Sequence, residues 1–193
     1  MEKLRFVIAE DEAIILRSLS RYVEKMGHEV AGIALDGAEA VERIREVQPD
    51  MVLLDLNMPE KDGIAVIREA CLDRMIPVII ITGHYSELLM NRADIPCVYG
   101  YLMKPTSEEQ VQAAIRIAWS RQEEYLASQR ETQEYKVALE DRKYIDRAKG
   151  ILMDEFGLKE SEAMMRLRKM ARDRKIKLGD AARGMVAARE ALL

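Results

Sequence analysis

Apolar residues in the first hundred positions fall into short runs separated by longer amphipathic stretches. Leu4–Ala9, Glu29–Ala34, Met51–Asp55, Ile76–Thr82 and Cys97–Met103 each read as a short, largely buried strand. Between them the apolar period lengthens to that of a helix, near 12–26, 36–47, 63–74 and 84–92. Five strands alternating with helices predict βαβ units, hence a doubly wound α/β domain with a five-stranded parallel sheet covered on both faces. In such a sheet, ligand sites gather at the carboxyl ends of the strands.

From Ser107 onward the strand pattern stops. Residues 107–155 contain no Pro and a single glycine, Gly150, and favour helix throughout. Positions 118, 125, 132 and 139 recur every seven residues as Ala, Tyr, Thr and Leu, and 128, 135 and 142 are Ser, Tyr and Arg. That seam is too polar to be a good coiled coil on its own. Gly157 and Gly179 then punctuate two further helices, near 160–174 and 178–191. The expected organisation is an α/β domain over 1–120, a helical stalk over 121–141, and a small three-helix domain over 142–193.

Composition narrows the class. The chain has 193 residues, 49% hydrophobic and 33% charged, which suits packed cores rather than disorder. No run approaches the length of a transmembrane helix. The start, Met1-Glu-Lys-Leu-Arg-Phe-Val-Ile-Ala, lacks the features of a secretory signal. Cys71 and Cys97 both lie in apolar surroundings, which predicts reduced thiols and a cytoplasmic protein. The net charge is −4, unevenly spread. Residues 1–120 carry 13 Lys and Arg against 20 Asp and Glu, whereas residues 142–193 carry 14 against 8. An acidic front and a basic back suggest two tasks, with a polyanion as a candidate partner of the second.

The predicted strand ends carry the chemistry. Glu10-Asp11-Glu12 closes the first strand and Asp55 the third, so carboxylates crowd one sheet edge. Such crowding is unfavourable unless compensated, and Mg²⁺, a hard cation taking carboxylates, a carbonyl and waters, compensates it. Thr82 ends the fourth strand with a hydroxyl, and Lys104-Pro105 follows the fifth with an ammonium. A metal, a hydroxyl and an ammonium around one carboxylate suit a phosphoryl group attached to it.

Over residues 4–120 these pieces, Ile8-Ala9-Glu10-Asp11-Glu12, Asp55-Leu-Asn-Met58-Pro59, Asp62-Gly63, Thr82 and Lys104-Pro105, resemble the receiver domains of two-component response regulators. The resemblance implies that Asp55 is the phosphoacceptor and that Glu10, Asp11, Asp55 and the Asn57 backbone carbonyl hold Mg²⁺. It makes Thr82 and Lys104 the phosphoryl-binding residues, Tyr101 the switch aromatic and a sensor histidine kinase the phosphoryl donor. The chain departs from the common pattern at Glu10, where Asp is frequent, at Thr106, where an aromatic is common, and across Asp94-Ile-Pro-Cys-Val-Tyr-Gly. His28 reads as structural and His84 as an ordinary loop residue near the site.

The back end has its own signature. Ile145-Asp-Arg-Ala-Lys-Gly-Ile-Leu-Met153, Gly157, Glu162-Ala163, Leu167-Arg168, Ala171 and Leu178…Ala181-Ala182 resemble the ANTAR domain, across about 133–190. That family, the output of AmiR/NasR-type antiterminators, binds paired RNA hairpins so that a terminator cannot form. The resemblance therefore implies transcription antitermination through hairpin RNA, with phosphorylation promoting a homodimer. Arg147 and Lys149 are the leading RNA-contact candidates, followed by Arg142, Tyr144, Arg168, Arg172 and Lys175. The alternative, a DNA-binding regulator, lacks a clear helix-turn-helix pairing here, and a purely protein-binding module fits the basic charge less well. No separate substrate is turned over, so the chain reads as a regulator and not as an enzyme.

Overall fold

The computed structural model describes residues 3–83 and 95–191. The chain divides into two compact units, Met1–Tyr125 and Leu126–Leu193. In the first, β1 (Arg5–Ala9), α1 (Ala13–Lys25), β2 (Glu29–Ala34), α2 (Gly37–Val47) and β3 (Met51–Asp55) follow one another. Next come α3, helical over Gly63–Val66 and π-helical over Ile67–Cys71, then β4 (Val78–Thr82) and β5 (Val98–Met103). The helix expected over 84–92 lies outside the described residues, as does His84.

The five strands form one parallel sheet in the order β2-β1-β3-β4-β5. β1, β3 and β4 sit inside it and are almost wholly apolar because both faces are covered. Val7, Ala9, Val52, Leu54, Val78 and Ile80 pack on one face, against residues of α2 and α3 that include Ala40, Ile44, Ile64 and Ile67. Phe6, Ile8, Met51, Leu53, Ile79 and Ile81 pack on the other, with Leu16 and Leu19 of α1 and with Val111 and Ile115. β2 and β5 are less buried than their apolar sequences imply, since each has a neighbouring strand on one side only. Tyr101 and Met103 of β5 are accordingly exposed.

Register sets the site. Ala9 pairs with Leu54, Asp55 with Ile81, and Thr82 with Met103. The residues just beyond or at those pairs, Glu10, Asp55, Thr82 and Lys104, therefore line one carboxyl edge of the sheet. Two glycines bring the surrounding turns close. A Cβ on Gly63 would stand 2.5 Å from the Asp55 carbonyl oxygen, and one on Gly37 would stand 1.9 Å from that of Lys61.

The helix α4 (Glu108–Phe156) crosses the boundary between the units. Every residue from 126 to 140 is exposed. Within the second unit, the end of α4 is joined by α5 (Glu160–Asp173) and α6 (Leu178–Glu190). Gly157, at φ 65°, terminates α4, its N–H donating to the Met153 carbonyl at 2.9 Å. The core is built of small residues, Ala148, Ala163, Ala171, Ala181 and Ala182, closed by Leu152, Leu167 and Val186. A Cβ on Gly179 would stand 2.3 Å from the Asp141 carboxylate, a side chain that would have to shift to admit it.

Candidate functional site

At the carboxyl edge of the sheet Glu10 is fully buried, Asp55 nearly so, and Asp11 exposed. Oxygens of these three carboxylates lie within 4.8 Å of one another. The Lys104 ammonium reaches into the group, at 2.7 Å from Asp55 Oδ2, 2.7 Å from Glu10 Oε1 and 3.4 Å from Glu12 Oε1. Burial by itself would depress the Lys104 pKa, but its hydrogen bonds and charge interactions with Asp55 and Glu10 more than reverse this and hold it above the ordinary lysine value. Glu10 is displaced upward, first by burial and further by the Asp55 charge, with Lys104 opposing both. The remaining Asp55 oxygen, Oδ1, accepts from the Asn57 N–H at 3.1 Å.

Among the described residues, Glu10 Oε2 is buried with no hydrogen-bond partner. A buried carboxylate oxygen without a donor is costly. Together with the oxygen-only donor set of Glu10, Asp11 and Asp55, it suits a hard divalent cation such as Mg²⁺. Thr82 is buried at the end of β4, beside the pair that joins Asp55 to Ile81. Asp62, just after the Asn57-Met58-Pro59 turn, caps α3 by accepting from the Ala65 N–H at 2.8 Å.

The other sequence candidates are distributed differently. Tyr101 is 45% exposed on β5. His28 is buried far from the acidic edge; its Nδ1 accepts from the Leu4 N–H at 3.3 Å and its ring lies 5.5 Å from Phe6. Burial lowers its pKa. Cys71 and Cys97 are buried free thiols, both raised by burial, Cys97 to about 11.

In the second unit the leading basic candidates already have partners. Lys149 is held between Asp146 Oδ1 at 2.9 Å and Glu160 Oε1 at 2.8 Å, with its side chain only 18% exposed. Arg147 pairs with Glu190 at 2.6 Å. Tyr144 packs partly buried on the core, and the Arg183 guanidinium lies 5.6 Å from its ring centre. Arg142, Arg168, Arg172 and Lys175 are exposed. The sequence reading did not single out two contacts. One is Lys104 with Glu10, whose residues lie 94 positions apart. The other is Arg166 over the Phe156 ring, at 4.1 Å.

A parallel sheet with this acidic edge, followed by a separate helical unit, defines a response regulator with an output domain. The response regulator receiver domain family matches residues 6–116 and the ANTAR domain family matches residues 133–186, so the chain belongs to the receiver-containing response regulators with an ANTAR output. This is a regulatory family rather than a catalytic one. The chain is similar to the transcriptional regulatory protein PdtaR of Mycobacterium tuberculosis (strain ATCC 25618 / H37Rv), at 37% identity over 171 residues, covering 89% of this chain and 83% of that protein. It is similar to the chemotaxis protein CheY of Thermotoga maritima at 32% identity, covering 58% of this chain and 93% of that one. Among solved structures, the response regulator PhyR from Brucella abortus matches with a TM-score of 0.58 and 32% identity, over 65% of this chain and 52% of that one. Among the described residues no helix is long and apolar enough to cross a membrane.

Proposed function

We propose that this protein is a phosphorylation-controlled antiterminator, in which phosphoryl transfer to Asp55 promotes dimerisation and capture of hairpin RNA. Residues 1–120 would be the receiver, 121–141 the stalk and 142–193 the RNA-binding domain, working in the cytoplasm with a sensor histidine kinase. The observation that carries the reading is the Lys104 ammonium set between Asp55 and Glu10, at 2.7 Å from each. A buried carboxylate meant only for structure needs one partner, whereas this edge gathers three carboxylates and a cation at one point, with Thr82 ending the neighbouring strand.

Glu10, Asp11 and Asp55, with the Asn57 carbonyl, would hold Mg²⁺, which when bound supplies positive charge against the phosphoryl oxygens. The Asp55 carboxylate oxygen forms a bond to phosphorus as the phosphorus–nitrogen bond of the kinase phosphohistidine breaks. The electron pair returns to the imidazole, which takes up a proton. Lys104 then pairs with the phosphoryl group, and the Thr82 hydroxyl donates to one of its oxygens. Movement of Thr82 toward the phosphoryl group and inward rotation of the exposed Tyr101 would alter the β4–β5 face and favour the dimer. Two output domains held together raise the effective concentration of the second RNA contact once the first has formed.

Incubation with acetyl phosphate and Mg²⁺, read by intact mass, tests the site. Wild type takes up one phosphoryl group and D55A takes up none while remaining folded. Uptake by D55A at the normal rate would refute the assignment.

A further inference from the structure

The basic charge of the output unit is concentrated in one short segment. Residues 166–177 hold seven Lys or Arg against the single acid Asp173. All seven basic side chains are exposed. Among the described residues none of the seven joins an ion pair, in contrast to Arg147, Lys149, Arg183 and Arg189. Unpaired cations at that density match the phosphates of a polynucleotide.

Beside this segment the ends of the three helices form a half-open cavity of about 280 Å³. Ile151 and Phe156 of α4, Met170 of α5 and Met185 of α6 give it apolar walls, and Arg174 from the basic segment and the Glu155–Arg189 ion pair line it too. A void of about 150 Å³ already accepts a benzene ring, so a planar base has room. Phe156 is 51% exposed, although it stands next to an apolar core, and the Arg166 guanidinium lies 4.1 Å from its ring centre. An exposed aromatic with a stacked guanidinium, over an apolar slot and among unpaired cations, is the chemistry that holds an unstacked nucleobase.

We infer that this cavity receives one unpaired base of an RNA loop, stacked at Phe156, while the 166–177 segment holds the flanking phosphates. The inference rests on the RNA-binding reading above and moves its centre from Arg147 and Lys149, which are occupied by Glu190, Asp146 and Glu160, to the end of α4 and the basic segment. Duplex DNA would satisfy the cations but offers no free base face without unstacking.

The test uses the full chain with Mg²⁺ and beryllofluoride. Tandem hairpins are enriched on wild type from a pool with randomised loops, and 2-aminopurine then replaces each loop position in turn. Wild type quenches the fluorophore at one position. F156L abolishes that quenching and weakens binding about ten-fold, F156Y retains both, and R174Q weakens binding and flattens its salt dependence. Far-UV circular dichroism of each variant verifies that the helices persist, and R174Q reads out the site even if F156L is misfolded. Unchanged quenching and affinity in folded F156L, with R147Q weakening binding instead, would overturn the site while leaving RNA binding intact. Equal competition by duplex DNA would overturn it as well. Failure of wild type to enrich any RNA would remove the RNA-binding reading and this site together.

Discussion

Lys104 has two buried carboxylates at hydrogen-bond distance, with its side chain 11% exposed and those of Glu10 and Asp55 at 1% and 4%. Removing the cation strands two negative charges in a low-dielectric edge, a change that costs about 3 kcal/mol or more when one partner of a buried pair is lost. K104M should therefore be destabilised by that amount in metal-free buffer, and Mg²⁺ should restore more stability to it than it adds to wild type. Urea denaturation with and without Mg²⁺ measures both; an equal Mg²⁺ response in the two proteins would contradict the proposed ion site. His28 supplies a second residue-scale prediction. Burial lowers its pKa, so the fold is suited to the neutral ring, whose Nδ1 accepts from Leu4. Its contribution is whole above about pH 6.5, the ordinary histidine value, and is lost as the pH falls through the lowered folded value. Between pH 7 and pH 5 wild type should lose stability more steeply than H28Q, as read from denaturation midpoints. At this scale the sequence displayed the acidic edge plainly, because each of its residues ends or follows an apolar strand. It did not display the Lys104–Glu10 bond or the Arg166–Phe156 stack, which depend on how distant elements meet and not on any local pattern.

The elements around the site are fitted through close backbone approach. Gly63 lets the start of α3 lie against the Asp55 carbonyl, and its N–H donates to the Leu56 carbonyl at 3.0 Å. G63A would force a Cβ to within 2.5 Å of the Asp55 carbonyl oxygen and 2.9 Å of Leu56 Cα, both backbone atoms that can yield only by moving the chain at Asp55 and Leu56. We expect a loss of roughly 2 kcal/mol and slower phosphoryl uptake; a variant as stable and as reactive as wild type would show the loop to be more pliant. The alternation of apolar runs made the strands and the described helices of the receiver legible almost to their ends, since β1, β3 and β4 are buried on both faces. Strand edges were less legible. β5 is as apolar in sequence as an inner strand, yet its position in the sheet leaves Tyr101 and Met103 exposed. The π-helical turn at Ile67–Cys71 has no signature in the pattern of residues. In α4, residues 126–140 include Leu126, Tyr135, Val137 and Leu139, all exposed. A helix of that length with no packed face gains little from propensity alone. This is consistent with a stalk that is stabilised when two chains come together.

At the scale of the molecule, the division of charge follows the division of labour proposed here. The receiver half is acidic and places its carboxylates at the proposed cation and phosphoryl site, while the output half is basic and presents at residues 166–177 cations that join no ion pair among the described residues. In the proposed mechanism the state of Asp55 governs RNA capture. The most direct test is the affinity of the full chain for a tandem-hairpin RNA, measured by gel shift with and without Mg²⁺ plus beryllofluoride, in wild type and in D55N. Binding should be at least about ten-fold tighter with the phosphoryl mimic, with a slope against protein concentration that fits a dimer and no response in D55N. Equal RNA affinity in all four conditions would contradict this mechanism, leaving an RNA-binding protein whose receiver does not control its output.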